Sequence, residues 1–346
     1  MLKVCLTGAT GFIGENLLKK LEDDPEIEVI ALSRKISPQM DGAKKKNIIW
    51  KRCNGFSLLD VEQATKDVDI LIYLIHSMAP TSTLSEGSFA DFDLLLADNF
   101  SRAAKTNKIK KIIYLSGLIP NEKNLSEHLR SRLEVEKTLA QYSNSVTTLR
   151  AGLIIGKNGS SFKILERLIK RLPLLICPKW TLKKSQPIDI EDVLNSLNYV
   201  IKNYQQLKRS SYDIAGPNII TYQQMLKLTA KVLQQKRYFL NVPLFSPRFS
   251  KLWVAKVSGT SYKLVSPLID SLKHNMIACP QTQLILPNYT YKVFENSLRS
   301  GITKESGSWM RILINYNSVI NLHWMETATF YCSFSNKEYD YGSKLR

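Results

Sequence analysis

A glycine-rich string, Thr7–Gly14, constrains the fold of this chain most strongly, because it joins a short apolar run to the start of an amphipathic segment. The apolar run Leu2–Leu6 is typical of a buried strand, and the amphipathic segment is typical of a helix. In such a loop the first glycine allows a tight turn, the second lets the backbone approach a pyrophosphate, and the third lets the helix pack close to the strand. The helix amides and the positive end of the helix would face the anion. The three glycines are Gly8, Gly11 and Gly14.

Strand-like and helix-like segments alternate through the first 150 residues. This alternation predicts βαβ units with right-handed crossovers, and therefore an α/β fold of the Rossmann type with a doubly wound parallel sheet. The predicted strands are Leu2–Leu6, Ile27–Leu32, Ile48–Lys51, Ile70–Ile75, Lys111–Ser116 and Val146–Arg150. The predicted helices are Phe12–Glu22, Leu59–Lys66, Ser88–Thr106 and Leu129–Gln141.

After Ala151 the alternation loosens, which predicts a smaller, mostly helical C-terminal lobe. We divide the chain into a dinucleotide-binding domain at 1–150, a substrate or partner lobe at 151–302 and a tail at 303–346 to which we assign no structure. The lobe is predicted to contain helices at Ser160–Arg171, Ile190–Asn203 and Tyr222–Gln234, an irregular segment at Leu172–Lys184, and one or two helices in Pro243–Lys273 that Gly259 and Pro267 break.

The end of the second predicted strand indicates which coenzyme is preferred. A site for NAD(H) places an aspartate or glutamate there, about twenty residues beyond the glycine loop, to bind the ribose hydroxyls. This chain has Ser33, Arg34 and Lys35 at that point and no carboxylate. A guanidinium binds a 2′-phosphate well, and Ser33 offers a second donor. We therefore predict NADP(H) rather than NAD(H), with Arg34 pointing to solvent or stacking on the adenine as the alternatives.

Several segments resemble the extended and atypical short-chain dehydrogenase/reductase superfamily, including its NmrA-like proteins and relatives of the NADPH-binding accessory subunit of respiratory complex I. The resemblance covers roughly residues 1 to 300 and rests on the Thr-Gly-x-x-Gly-x-x-Gly spacing and on later motifs. Those motifs are Tyr73–Met78, Ala97–Phe100, Ile113–Gly117, Leu149–Gly152 and Pro187–Val193.

The resemblance implies positions for the coenzyme and for one catalytic group. It places the pyrophosphate on Gly8, Thr10, Gly11, Phe12, Ile13 and Gly14, the 2′-phosphate on Ser33 and Arg34, and the nicotinamide ribose beside Leu74, Ile75 and His76. Ser116 falls where the superfamily has its active-site serine or threonine.

The usual Tyr-x-x-x-Lys pair of this superfamily is missing, because the tyrosine position holds His128 and the lysine position holds Arg132. In one interpretation His128 donates the proton, since an unperturbed imidazole titrates near ~6.5, and Arg132 still binds ribose or phosphate. In a second, the site is chemically silent, Arg132 pairs with Glu136, and His128 is an ordinary residue of the helix N-terminus. In a third, water or the substrate supplies the proton during hydride transfer.

The chain has 48 lysines and arginines against 30 aspartates and glutamates, a formal charge of +18 that favours an anionic partner. A basic cluster in the second lobe could contact an acidic substrate, a partner or anionic lipid, or could simply be solvated. A basic amphipathic pattern at 248–257 leaves peripheral membrane contact open. The basic cluster consists of Lys163, Arg167, Lys170, Arg171, Lys179, Lys183 and Lys184.

Other classes of protein find no support in the sequence. We predict no nucleic-acid binding, because no helix-turn-helix or ribonucleoprotein motif occurs, and no hydrolase triad, because Gly-x-Ser-x-Gly is missing. The five scattered cysteines predict neither a zinc site nor disulfides and suit a cytoplasmic location. The sequence has no uninterrupted run of ~18 apolar residues, so we predict no transmembrane helix.

Two functions follow from these features. The first is an NADP(H)-dependent oxidoreductase, monomeric or dimeric, that acts on a small carbonyl, enone or quinone-like substrate. The second is a non-catalytic NADPH-binding redox sensor or assembly scaffold. Whether the chain is an enzyme depends on the His128 and Arg132 pair.

Overall fold

The computed structural model describes residues 1–36, 47–76, 89–142, 145–242, 247–259 and 261–302. Predictions for Ser77, Met78 and the tail at 303–346 lie outside these residues. The strands are β1 (Leu2–Leu6), β2 (Ile27–Ser33), β3 (Ile48–Arg52), β4 (Ile70–Tyr73), β5 (Lys111–Gly117), β6 (Val146–Ala151), β7 (Ile154–Ile155), β8 (Leu174–Pro178), β9 (Lys184–Ser185), β10 (Ile188–Asp189), β11 (Ser211–Ile214), β12 (Ile220–Thr221) and β13 (Tyr238–Val242).

The helices alternate with these strands as far as β6 and dominate afterwards. They are α1 (Phe12–Leu21), α2 (Leu58–Ala64), α3 (Phe89–Thr106), α4 (Glu127–Gln141), α5 (Ser160–Arg171), α6 (Ile190–Lys202), α7 (Tyr222–Val232), α8 (Pro247–Ser258), α9 (Tyr262–Ser271) and α10 (Phe294–Gly301). None of the described helices is long and apolar enough to cross a membrane.

Seven parallel strands form the central sheet in the order β11-β6-β5-β4-β1-β2-β3. Successive strand residues face opposite sides of a sheet, so the chain can bury both faces. Val4 packs with Leu17 of α1 and Val193 of α6 on one side. Cys5 packs with Phe100 of α3 and Val135 of α4 on the other. The predicted α/β Rossmann architecture is confirmed.

The seventh strand of this sheet comes from beyond residue 150. β11 pairs with β6 in parallel, with Ser211 opposite Thr148 and Ile214 opposite Ala151. The chain therefore leaves the sheet after β6, passes through α5 and a group of short strands, and returns through α6 to complete the sheet. Residues of the predicted second lobe thus contribute directly to the dinucleotide-binding sheet.

The remaining helices enclose a second apolar core. Phe162 of α5, Met225 of α7 and Leu298 of α10 are buried together there. The prediction of an irregular segment at Leu172–Lys184 was wrong, because β8 within it pairs in parallel with β13. Alternating burial along β8 is compatible with a strand, but its pairing partner lies more than sixty residues away in sequence and gives no local signal.

The prediction for the helices after residue 243 was right about Gly259 and wrong about Pro267. Gly259 has a φ of +62° and lies between α8 and α9, where a left-handed residue ends a helix. Pro267 lies within α9 and does not break it. Val265 and Ile269 of this helix are buried against α8, and their packing offsets the loss of one helical hydrogen bond.

Two arginines of the basic cluster have a structural role. Arg167 donates to the Ser258 carbonyl at 3.0 Å, and Arg171 donates to the Val257 carbonyl at 2.6 Å. Both carbonyls belong to the last turn of α8, where cations are favourable and carbonyl groups lack helical partners. These two side chains therefore join α5 to the end of α8.

Candidate functional site

The glycine loop lies between β1 and α1 at the carboxyl edge of the sheet. Gly8 has a φ of +65°, and a Cβ there would come within 3.0 Å of the Leu74 carbonyl oxygen. A Cβ on Gly14 would lie 2.3 Å from the Gly8 carbonyl oxygen. Gly8 is therefore required by the turn, and Gly14 by the close approach of α1 to the loop.

The start of α1 is open. Gly11 is the N-cap residue and makes no side-chain capping hydrogen bond, and a Cβ there would meet the Gly8 carbonyl oxygen at 3.2 Å. Thr10 is exposed. The aromatic ring of Phe12 packs against the loop that contains Gly159, and Ile13 packs against the core. The amides of the first helical turn are thus left for an anion, which fits a pyrophosphate.

The tip of β2 ends at the same edge of the sheet, since β1 and β2 are adjacent and parallel. The Ser33 hydroxyl donates to the Lys35 carbonyl at 2.7 Å and accepts from the Lys35 amide at 3.3 Å, which holds the turn. Arg34 is exposed, and the described residues give it no ion-pair partner. Its guanidinium is therefore available to a ligand that reaches this tip.

The end of β4 is fixed to the glycine loop by Thr7. The Thr7 hydroxyl donates to the Ile72 carbonyl at 3.1 Å and accepts from the Leu74 amide at 3.0 Å. Leu74 and Ile75 follow the strand and are half-buried, and His76 comes next at the same edge. The three residues predicted to line the nicotinamide ribose thus leave the sheet beside the glycine loop.

A cluster of polar side chains lies below this edge, on the α3 and α4 side of the sheet. His76 Nδ1 is 2.9 Å from Asp93 Oδ2 of α3, and the ring centroids of His76 and His128 are 5.2 Å apart. Arg132 lies one turn after His128 on α4 and donates to the Tyr114 hydroxyl at 3.4 Å. The structure therefore brings His76 next to His128 and Arg132, which lie more than fifty residues further along the chain.

Burial controls the protonation of both histidines. Desolvation, followed by the charge of Arg132 and the proximity of His76, lowers the pKa of His128 to about 3. Desolvation and Arg132 also lower the pKa of His76, but the hydrogen bond and negative charge of Asp93 oppose that shift. Both imidazoles are therefore neutral at pH 7, which argues against His128 as a charged proton donor in the free protein.

Several polar atoms of the cluster have no hydrogen-bond partner among the residues that the structure describes. They are buried, and leaving a buried polar atom unpaired costs about 1–3 kcal/mol, so each is a place where a bound ligand would restore a lost interaction. The atoms are Tyr73 OH, His76 Nε2, Ser116 Oγ and Arg132 Nε.

One predicted pairing was wrong. Arg132 does not pair with Glu136, because Arg150 of β6 takes both carboxylate oxygens of Glu136, through Nε at 3.1 Å and Nη2 at 2.9 Å. A guanidinium matches a carboxylate in this two-point geometry. Arg132 is directed instead toward Tyr114.

Asp93, Tyr73 and Tyr114 also belong to this cluster, although no sequence pattern predicted them as site residues. Asp93 shares a helix face with Ala97 and Phe100, both buried, and a carboxylate on a buried face is a signal that could have been recognised. Tyr73 and Tyr114 lie within predicted strands, where a buried tyrosine is an ordinary core residue and gives no sign of a site. In the described part of the chain, no three metal-ligating side chains are grouped so as to hold a metal ion.

The fold and the glycine loop together define a nucleotide-binding protein of the extended short-chain dehydrogenase/reductase type. Residues 4–215 match the model of the NAD-dependent epimerase/dehydratase family. The chain therefore belongs to that family of NAD(P)-binding proteins.

A known protein from Staphylococcus aureus is similar to about a third of the chain. The auxiliary protein GraX from Staphylococcus aureus is 34% identical over 117 residues, which are 33% of this chain and 36% of that protein. The chain thus matches little more than a third of the length of this relative.

Two solved structures share the fold over most of the chain. The triphenylmethane reductase of Citrobacter sp., complexed with NADP(H), has a TM-score of 0.67 and 13% identity, with coverage of 87% of this chain and all of that one. An NADPH-dependent quinone oxidoreductase from Escherichia coli, complexed with NADPH, has a TM-score of 0.65 and 19% identity. The match covers 85% of this chain and 98% of that one.

Proposed function

We propose that this protein binds NADP(H) and is an oxidoreductase that acts on a small carbonyl, enone or quinone-like substrate. The observation that carries the proposal is the uncapped start of α1 at the same sheet edge as Arg34, whose guanidinium has no ion-pair partner among the described residues. A helix N-terminus without a side-chain cap favours a pyrophosphate, and a free arginine at the tip of β2 favours a 2′-phosphate. The NADPH-bound reductases that share the fold support the same coenzyme.

In this proposal the backbone from Gly8 to Gly14 holds the pyrophosphate, and Arg34 holds the 2′-phosphate. Ser33 joins Arg34 when its hydroxyl turns from the Lys35 carbonyl to the phosphate. Leu74, Ile75 and His76 line the nicotinamide ribose. When bound, the coenzyme supplies a hydride to the substrate or accepts one from it.

The substrate would lie over the polar cluster at the ends of β4 and β5. Ser116 Oγ and Arg132 Nε are buried and lack partners among the described residues, so both can donate to a substrate oxygen. His128 is neutral at pH 7, since its pKa is lowered to about 3, and serves as a hydrogen-bonding group rather than as a charged acid. Hydrogen bonds to the oxygen would stabilise the negative charge that develops there during reduction.

A second candidate function is a non-catalytic NADPH-binding sensor or scaffold. The observation that favours it is the pair His128 and Arg132, which replaces the superfamily's Tyr-x-x-x-Lys. Coenzyme binding would then change the fold's stability or a partner's affinity without turnover. The two candidates share the coenzyme site and differ only in chemistry.

Coenzyme binding is tested by fluorescence titration and thermal shift of the purified chain with NADPH and NADH. We expect NADPH to bind at least ~10-fold more tightly than NADH, since one charge-assisted contact is worth about 1.5–3 kcal/mol. Gly11→Asp should abolish binding, because it places a carboxylate at the start of α1, and circular dichroism checks that the variant folds, since its Cβ would lie 3.2 Å from the Gly8 carbonyl oxygen. Equal affinity for the two coenzymes would refute the NADP(H) preference.

Turnover is tested by following NADPH absorbance with acetophenone, 2-cyclohexenone and menadione. Consumption of NADPH with any of these supports the oxidoreductase. Tight NADPH binding without consumption supports the sensor or scaffold instead. If the chain neither binds NADPH nor consumes it, both candidate functions are wrong.

A further inference from the structure

The site contains a histidine and a carboxylate that the sequence resemblance does not pair. His76 Nδ1 lies 2.9 Å from Asp93 Oδ2, and the side chains are 17% and 5% exposed. On the other side of the same ring, Nε2 is buried and has no hydrogen-bond partner within the described part of the chain. A ring held at one nitrogen and open at the other is the arrangement of a positioned acid or base.

We infer that His76, held by Asp93, exchanges a proton with a hydroxyl-bearing substrate of this site, in place of the tyrosine that α4 lacks. The inference rests on the proposed function, because it assigns chemistry to the proposed oxidoreductase. It also narrows the substrate class to a secondary alcohol or allylic alcohol and the corresponding ketone or enone.

The tautomer of His76 follows from its contact with Asp93. A carboxylate accepts hydrogen bonds, so Nδ1 carries the proton and donates it to Asp93 Oδ2. In a neutral imidazole the other nitrogen then bears a lone pair. Nε2 is therefore a hydrogen-bond acceptor, and the complementary ligand group is a hydroxyl donor.

The groups that face His76 come from three directions and keep it a base. Asp93 on α3 favours the imidazolium, and Arg132 on α4 opposes it. His128, also on α4, is neutral at pH 7 because burial lowers its pKa to about 3. Tyr73 on β4 is a neutral phenol, because burial raises its pKa well above the usual value, and its ring packs edge-on against Tyr114 of β5.

His76 is better suited to this task than His128. Asp93 can stabilise the imidazolium that forms at His76 during proton transfer, because it is directly hydrogen-bonded to the ring. His128 is influenced by the same carboxylate only at longer range and has Arg132 one turn away. An imidazolium at His128 would therefore be less stable.

The step balances in both directions. In oxidation, the substrate O–H bond breaks and its proton goes to His76 Nε2, while the C–H bond breaks and its electron pair leaves as hydride, for which oxidised nicotinamide coenzyme is the acceptor. The new C=O bond forms between the same carbon and oxygen. In reduction, the carbonyl oxygen takes the proton back from Nε2, and the carbon receives a hydride, for which reduced nicotinamide coenzyme is the donor.

The first test determines by NMR which ring nitrogen of His76 carries the proton. The chain contains four histidines, so 15N-histidine labelling and long-range 1H–15N spectra can resolve each imidazole. At pH 7 we expect Nδ1 of His76 to be protonated and Nε2 to be unprotonated, with the signals assigned by their loss in His76→Asn. Asp93→Asn should raise the Nε2–H population, because an amide can donate to Nδ1. A protonated Nε2 in the wild type would overturn the inference, and that spectrum decides even if Asp93→Asn fails to fold.

The second test measures kcat for the oxidation of 1-phenylethanol and 2-cyclohexen-1-ol by NADP⁺. His76→Asn should lower kcat by ~100-fold or more and remove the acid limb of the pH profile, because positioned acid–base catalysis contributes about 10²–10⁴-fold. The Kd for NADPH should change far less than kcat, by no more than about 10-fold, although His76 also lines the nicotinamide ribose. His274→Asn is the matched control, since His274 also contacts a carboxylate, Glu122 at 2.6 Å, and should leave kcat unchanged.

Different results would contradict the role of His76 and the proposed oxidoreductase function. If the wild type oxidises or reduces a probe and His76→Asn retains at least half of its kcat, the inference is wrong and the oxidoreductase stands. If the wild type binds NADPH and turns over no probe in either direction, the proposed function and the substrate part of the inference both fail.

Discussion

The imidazole rings of His76 and His128 lie 5.2 Å apart between centroids and are tilted by 55°, although His76 follows the end of β4 and His128 belongs to the first turn of α4. Two imidazoles this close cannot both be protonated without mutual repulsion. Burial lowers the pKa of both, and Arg132 lowers it further. The pair is therefore a neutral element of the folded state, with consequences for stability.

The pH dependence of stability should report this pair. The pKa of His128 falls from its usual 6.5 to about 3 on folding, so the unfolded chain binds the proton first as the pH decreases. The neutral His128 therefore contributes fully to the free energy of unfolding above pH ~6.5, and this contribution is lost as the pH falls toward ~3. Between pH 6.5 and 4 we expect His128→Gln to show a free energy of unfolding that declines by roughly 2 kcal/mol less than that of the wild type. Urea titrations across this range measure it, and parallel curves would contradict it.

The glycine loop should tolerate alanine differently at two positions. Gly14→Ala places a Cβ 2.3 Å from the Gly8 carbonyl oxygen, whereas a Cβ on Gly117 meets nothing within 4 Å. We expect Gly14→Ala to lower the free energy of unfolding by roughly 2–4 kcal/mol and Gly117→Ala to change it by less than about 0.5 kcal/mol. Chemical denaturation measures both, and equal midpoints would show that α1 can move away from the loop.

Coenzyme selectivity should depend on Arg34. Arg34→Ala removes the exposed guanidinium at the tip of β2, and we expect the Kd for NADPH to rise ~10-fold or more while the Kd for NADH changes less than ~2-fold. Arg299→Ala is the control, because Arg299 is 58% exposed and pairs with Glu295 on α10. The same loss for both coenzymes would mean that Arg34 contacts adenine rather than a 2′-phosphate.

The link between α4 and β6 should be important for stability. Arg150 and Glu136 are 22% and 14% exposed and share two hydrogen bonds. Glu136→Ala leaves a largely buried guanidinium unpaired, and we expect a loss of roughly 2 kcal/mol after solvent screening is allowed for. Asp98→Ala removes the partner of Arg102, which is 50% exposed, and should lower the melting temperature much less than Glu136→Ala does. Thermal melts of both variants give the comparison.

Much of the fold could be predicted from local patterns. The first six strands and the helices between them were predicted within a few residues, because each is a continuous apolar run or a helical face. β11 was missed because its four residues, Ser211–Ile214, carry two polar side chains and depend on β6 for their pairing. β13 and β8 were missed for the same reason, since their pairing is not local.

The site could be predicted only in part. The glycine loop and the tip of β2 each lie in one short stretch directly after a predicted strand, so their placement at one edge followed from the order of strands. The contact between His76 and Asp93 depends on how α3 is rotated against β4, and the two residues follow no common motif. The lowered pKa of His128 results from burial beside Arg132, which spacing along α4 alone does not determine.

The return of the chain to the sheet through β11 affects how the molecule can assemble. The nucleotide loop forms from the first residues, but β6 keeps one open edge until the excursion through 152–210 has folded and delivered Ser211–Ile214. An open parallel edge invites pairing with other chains, and such distant pairing forms slowly. A fragment that stops at residue 150 would therefore be prone to self-association, and the nucleotide-binding half of this protein is not a separable unit.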